Sequence, residues 1–214
     1  MNNIKIGKYK GMIFDLDGVL VTTDNCHYLA WKKLAGEENI YFDRSINEQL
    51  RGVSRMESLN IVLKNASKEY TAEEKNEMAT RKNSYYVELV KDIDKSAIIE
   101  GAEEFVKKIK KLGLKIAIGS SSKNASLILE QTKMKHLFDA IVDGNDIRNS
   151  KPNPEVFLKA AQKLGFLANE CLVAEDADAG VEAAISAGMD VIAVGYAKAN
   201  KRATYCAASL KEVL

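Results

Sequence analysis

The sequence predicts an α/β protein, a doubly wound (Rossmann-like) parallel sheet with a smaller helical insertion after its first strand. Three observations predict it. Short apolar runs alternate with helical patterns from residue 101 to residue 195. The helical patterns repeatedly close on a glycine, at Gly113, Gly165 and Gly188. Residues 22–95 break the rhythm, with no strand pattern of their own.

The elements follow in order. The run MIFDLDGVLV spans residues 12–21, where Met12 to Phe14 end an apolar stretch and DLDG signals a turn. This reads as a buried strand emerging into a loop. The following 22–95 are rich in Glu, Lys, Leu and Ala and read as helices; within them Thr71 and Glu74 have capping-box spacing at the head of residues 71–90. Beyond lie a helix over 101–113 (GAEEFVKKIKKLG), a strand over 114–119 (LKIAIG) and a helix over 123–133 (KNASLILEQTK). A strand over 140–144 (AIVDG), a helix over 153–165 and a strand over 171–176 (CLVAED) come next. A helix over 177–188 and a strand over 190–195 (DVIAVG) close the series. Strands alternating with helices at this spacing build a parallel sheet covered on both faces. The division expected is a core of residues 1–21 and 96–214 and a helical domain of residues 22–95.

A chain of 214 residues accommodates one core plus a smaller insertion. Apolar residues make up 46% and charged residues 29%, as in an ordinary folded protein. Lys plus Arg (31) nearly balance Asp plus Glu (30), which argues against a strongly basic nucleic-acid binder. Cys26, Cys171 and Cys206 are odd in number, widely spaced and form no CxxC, so reduced thiols are expected rather than a disulfide framework or zinc site. No signal-peptide pattern and no membrane-length apolar run stands out, and a cytoplasmic monomer is expected.

In a doubly wound sheet, ligands bind beyond the carboxyl ends of the strands. Asp15 and Asp17 follow the first strand; Glu175 and Asp176 follow the strand at 171–174. Side chains two apart on an extended segment point the same way, so Asp15 and Asp17 can share a cavity. Like charges so gathered raise each other's proton affinity unless a cation intervenes, and oxygen-only ligands suit Mg²⁺. Acidic residues at strand ends also serve as turn formers and helix caps. GSSSKN (119–124) offers hydroxyls and backbone N–H groups ahead of a helix, and Lys151 in SKPNPE offers a positive charge; both suit phosphate. A serine run before a helix is also simply a cap.

Taken in chain order, DLDGVL, GSSS, KPNP and EDADAG resemble the four motifs of the haloacid dehalogenase superfamily of phosphotransferases, over essentially the whole chain. The resemblance implies that Asp15 takes up a phosphoryl group as an aspartyl-phosphate and that Asp17 is the general acid and base. It implies Ser120 and Lys151 as holders of the phosphoryl oxygens. For metal it implies Mg²⁺ on Asp15, the Asp17 backbone carbonyl and Asp176, with Glu175 as a ligand or just behind one.

The insertion resembles the cap of that family's glucose-phosphate mutases, in HYLAWKKLA (27–35), NEQLRGVSRMESL (47–59) and RKN (81–83). That likeness implies exchange of β-D-glucose 1-phosphate with D-glucose 6-phosphate through β-glucose 1,6-bisphosphate, which also primes the enzyme. Arg55, with Ser121, Ser122, Lys123 and Asn124 on the core side, is implied for the non-transferring phosphate. His27 is implied near Asp17, coupling cap closure to acid–base alignment; Lys82 and Arg51, with Gly52 and Thr23, for sugar or phosphate contacts; and Trp31 beside the sugar. The alternative is a phosphatase of small sugar phosphates, which shares every core motif. Two departures stand out. Val21, Thr22 and Thr23 occupy a place where the family commonly carries an acid before a hydroxyl residue, in the hinge expected near 22–24 and 92–97. Ala177 and Asp178 follow the ED pair, where serine is often found.

Overall fold

The apolar run ahead of the two aspartates forms strand β1 (Gly11–Phe14), buried at all four residues. The computed structural model describes residues 4–51 and 53–213. They divide into two compact units, one running to Thr22 and resuming at Asp94, the other Thr23–Ile93.

The first unit holds a six-stranded sheet. Strands β2 (Lys115–Gly119), β3 (Ala140–Val142), β4 (Cys171–Glu175), β5 (Asp190–Ala193) and β6 (Tyr205–Cys206) join β1 in the order β3-β2-β1-β4-β5-β6. Every pairing is parallel, with Phe14 opposite Ile118 on one side and Ala174 on the other. The order reverses between β1 and β4, and sheets of this kind bind their ligands beyond the strands' carboxyl ends at such a switch point. Helices α5 (Ala102–Lys111), α6 (Ala125–Gln131), α7 (Glu155–Leu164) and α8 (Asp178–Ser186) connect the strands.

Alternation along β1 sends its side chains to opposite faces. Ile13 joins a buried cluster with Val156 and Phe157 of α7 and Val181 and Ala184 of α8. Phe14 points the other way and meets Phe105 of α5 edge-on, ring centroids 6.0 Å apart. Both faces are therefore covered, which explains why the central strands are continuous apolar runs. The two-residue β6 was not anticipated; a strand so short shows no period.

The second unit contains α1 (Asp24–Glu37), α2 (Arg44–Glu48), α3 (Arg55–Leu63) and α4 (Ala72–Lys91). Its own apolar cluster includes Trp31, Leu34, Phe42, Leu59, Val62 and Met78. The capping box expected at the head of α4 is formed: the Thr71 hydroxyl accepts from the Glu74 amide (3.2 Å) and the Glu74 carboxylate from the Thr71 amide (2.7 Å). Ser54 and Glu57 repeat the device at α3.

The outgoing and returning chains are zipped together within the first unit. Val21 bridges Ile98 in antiparallel fashion, the Ile99 amide donates to the Leu20 carbonyl (2.9 Å), and the Thr22 amide to that of Ala97 (2.8 Å). Among the described residues no helix is long and apolar enough to cross a membrane.

Candidate active site

Asp15 is the first residue past β1, and its amide still donates to the Ala174 carbonyl (2.9 Å), continuing the ladder with β4. That bond sets Asp15 beside the end of β4, where Glu175 is the last strand residue and Asp176 the next. Gly18 then turns the chain with φ +80° and donates its amide to the Val21 carbonyl (2.8 Å). A Cβ on Gly18 would lie 1.9 Å from Asp176 Oδ2, so the turn and the carboxylate approach as closely as they do only because residue 18 lacks a side chain.

Asp15, Glu175 and Asp176 are buried, and one oxygen of each lies within 4.8 Å of the others. The Lys151 ammonium enters this group from the loop ahead of α7, bonded to Asp15 Oδ1 and, at 2.7 Å, to Glu175 Oε2. Both oxygens of Glu175 are thereby engaged, because Oε1 accepts from the Asp176 and Ala177 amides at 3.0 Å each. Burial penalises the ammonium, but the two carboxylates outweigh it and raise the Lys151 pKa.

Three buried carboxylates face one lysine. Burial first, and then the charges of Glu175, Asp15 and Asp17, push Asp176 up to about 9; Glu175 is pushed up to about 7, chiefly by burial. An all-oxygen set with an excess of negative charge, shielded from water, fits a hard divalent cation. The Asp17 side chain lies outside the group of three, although its charge reaches Asp176; its backbone pairs with Val21.

Ser120 follows β2, is buried, and donates its amide to the Val142 carbonyl (3.1 Å). Residues 120–124 wind through two side-chain turns: the Ser122 amide donates to Ser120 Oγ (3.1 Å) and the Asn124 amide to Ser122 Oγ (3.2 Å). Ser121 Oγ is buried without a partner.

Within the second unit, His27, Trp31 and Lys82 come together. Lys82 Nζ lies 2.9 Å from His27 Nδ1 and 4.8 Å from each of the Trp31 and Tyr86 ring centroids. Lys82 is only 3% exposed, unlike the solvated lysine its charge-rich surroundings suggest. Burial, then the charges of Lys82, Arg55 and Arg51, hold His27 neutral, well below its ordinary pKa. With Nδ1 accepting from an ammonium, Nε2 carries the proton. The His27 ring lies against Tyr86 (centroids 4.1 Å), whose hydroxyl is 3.0 Å from Thr23 Oγ1. Arg55 donates to Asn83 Oδ1 (2.8 Å), while Arg51 pairs with Asp24 (2.5 Å) and Glu48 (2.8 Å). Gly52 lies outside the described residues. Asn83 lies within the RKN motif but was given no role from sequence; Tyr86 was missed, its only signal being proximity to RKN on one amphipathic helix.

The fold, with carboxylates at the switch point and a lysine between them, defines a phosphotransferase-type site, and the matches to known proteins agree. The model of the haloacid dehalogenase-like hydrolase family matches residues 12–194, and the chain belongs to that family. It is 41% identical over 188 residues to the β-phosphoglucomutase of Bacillus subtilis (strain 168), covering 87% of this chain and 83% of that protein. It is 31% identical over 191 residues to the fructose-1-phosphate phosphatase YqaB of Escherichia coli (strain K12), covering 87% and 97%. The crystal structure of β-phosphoglucomutase from Clostridium difficile superposes with TM-score 0.89 at 39% identity, covering 96% of this chain and 93% of that one.

Proposed function

We propose that the protein is a Mg²⁺-dependent β-phosphoglucomutase, interconverting β-D-glucose 1-phosphate and D-glucose 6-phosphate through an aspartyl-phosphate and β-glucose 1,6-bisphosphate. The observation that carries the reading is the 41% identity to the Bacillus mutase over most of both chains. The assembled Asp15, Lys151, Glu175 and Asp176 group supports its chemistry.

In this reading an Asp15 carboxylate oxygen attacks phosphorus, forming a P–O bond as the bond to the donor oxygen breaks. Asp17 gives the leaving oxygen its proton and later takes one from the accepting sugar hydroxyl. Ser120 and Lys151 hold the phosphoryl oxygens. Asp15, the Asp17 carbonyl and Asp176 hold Mg²⁺, which when bound neutralises charge at the phosphoryl group. Glu175, with both oxygens engaged, anchors Lys151 and the loop behind the metal site.

The sugar bisphosphate has two phosphates and turns end for end, so a second anion site is required. Residues 121–124 of the core unit and Arg55 of the helical unit are the groups we propose to bind that second phosphate. His27, Lys82, Arg51, Thr23 and Trp31 serve the sugar side, where neutral His27 presents an N–H donor. The reaction requires that water be kept from the aspartyl-phosphate while a sugar hydroxyl is admitted. We place the enzyme in the cytoplasm as a monomer, primed by glucose 1,6-bisphosphate.

The similarity to a fructose-1-phosphate phosphatase favours one alternative, hydrolysis of small sugar phosphates. A coupled assay separates them. With Mg²⁺, β-glucose 1-phosphate and a trace of glucose 1,6-bisphosphate, a mutase forms glucose 6-phosphate from the β anomer with little phosphate release, and the α anomer does not react. Phosphate release without isomerisation would establish the phosphatase.

A further inference from the structure

The loop after β3 carries none of the motifs discussed above, yet it braces residues 121–123 of the GSSSKN segment. Three consecutive carbonyls of residues 121–123 face it. The Gly144 amide donates to the Ser122 carbonyl (3.0 Å), and Asn145 Nδ2 donates to that of Lys123 (3.0 Å). The Ser121 carbonyl oxygen lies 2.4 Å from where a Gly144 Cβ would stand, and the Lys123 nitrogen 3.0 Å from it. Lys123 Cγ, 2.9 Å from it, can swing away, but the Ser121 oxygen and Lys123 nitrogen are backbone and move only with the segment.

The loop is itself rigid. The Asp143 carboxylate accepts from the Asn145 amide (2.8 Å), Asp146 Oδ2 accepts from the Asp143 amide (3.0 Å), and the Asp146 amide donates to the Asp143 carbonyl (3.0 Å). Lys159 and Lys163 of α7 tie Asp146 down from the other side.

In a trans peptide the C=O and the following N–H point in opposite directions. Fixing the carbonyls of residues 121, 122 and 123 toward Gly144 and Asn145 therefore turns the amides of residues 122, 123 and 124 away from them. Two of those amides already meet hydroxyl oxygens on that far side, Ser122 on Ser120 and Asn124 on Ser122. We infer that Gly144 and Asn145 are positioning residues that orient the 121–124 peptides for the non-transferring phosphate. The inference rests on the mutase reading of that segment.

The test uses Asn145→Asp and Gly144→Ala in the full-length enzyme. Asn145→Asp removes the donor and sets an anion against a carbonyl; Gly144→Ala displaces the segment sterically. The KM for glucose 1,6-bisphosphate is compared with turnover of acetyl phosphate, which carries a single phosphoryl group and needs no second anion site. Circular dichroism melts check the fold. Expected for Asn145→Asp is a rise of about tenfold in KM, the scale of one hydrogen bond lost at a binding site, with acetyl phosphate turnover within about twofold. Gly144→Ala is expected to shift KM in the same direction. An unchanged KM in a folded Asn145→Asp enzyme, or a parallel fall in both activities, overturns the inference alone. Phosphate release in place of glucose 6-phosphate by the unsubstituted enzyme overturns the mutase reading and the inference with it.

Discussion

Lys151 is 7% exposed and lies between two carboxylates, and its removal has an energetic signature separate from catalysis. Breaking a buried ion pair strands the remaining charge and costs about 3–5 kcal/mol. Lys151→Met is therefore expected to lose stability on that scale in urea melts run in EDTA. Adding Asp15→Asn and Glu175→Gln to the same chain should recover most of the loss; no recovery would show that Lys151 acts through packing on Phe157, whose ring centroid is 4.7 Å from Nζ. A second expectation concerns protons. Asp176 is held up to about 9 and Glu175 to about 7, chiefly by burial. For a carboxyl raised in the folded state, its stabilising contribution is full below the ordinary carboxylate range and disappears as pH rises through the folded value. In EDTA the Tm should thus fall between about pH 6 and 9, and Mg²⁺, competing with those protons, should raise Tm by more at pH 8.5 than at pH 6. Asp176→Asn should flatten both trends. A Tm that ignores Mg²⁺ at every pH would remove Asp176 from the metal site.

The elements themselves were legible where the signal is local. Thr71 and Glu74 announce α4, and the apolar runs of β1, β2 and β4 announce buried strands, because capping and burial act over a few residues. The starts of α6 and α7 were set too early because side chains compete there with the helix. Residues 120–124 bond to their own serines, and Asn153 Oδ1 takes the Glu155 amide (3.0 Å), so α7 begins only at Glu155. The acidic pairs could be read as a site from strand-end position, whereas the association of Lys82 with His27 and Trp31 depends on how α1 packs on α4, which no short motif encodes. Glu155 illustrates the same kind of contact in the core. Its carboxylate accepts from the Arg148 and Asn149 amides and from Lys159, which pins the segment leading to Lys151. Those bonds, Lys159 foremost, hold its pKa down to about 2. A depressed carboxyl stabilises above its unfolded value and loses that contribution as pH falls toward the folded one. Glu155→Gln should therefore lower Tm at pH 6, and the gap from the unsubstituted protein should narrow as pH is taken down from 5 to 3. A gap that stays constant with pH would assign the effect to shape rather than charge.

At the scale of the whole molecule, the proposed reaction asks for two anion sites contributed by different parts of the chain, and this is what separates mutase from phosphatase. On the proposed reading the core unit supplies the nucleophile Asp15, Asp17 as acid and then base, Lys151, and a carboxylate set suited to a cation. Nothing in that set distinguishes a glucose phosphate from any other phosphoester, which is why one fold serves many chemistries. Discrimination must come from the helical unit, where Arg55 is a partly buried cation that donates to the neutral amide of Asn83. Burial lowers its pKa, opposed by Tyr86 and by no carboxylate among the described residues, so a dianionic ligand gains more there than at Arg51, which already has Asp24 and Glu48. Arg55→Ala is thus expected to cut kcat/KM for β-glucose 1-phosphate by about a hundredfold or more, the scale of a charge-assisted pair lost in a shielded site. Acetyl phosphate turnover, which needs only the core set, should stay within a few-fold, and Arg51→Ala should be milder than Arg55→Ala in the mutase assay. Equal losses on both substrates would mean that Arg55 supports the fold of its helix rather than the second phosphate, and would return the balance to the phosphatase reading.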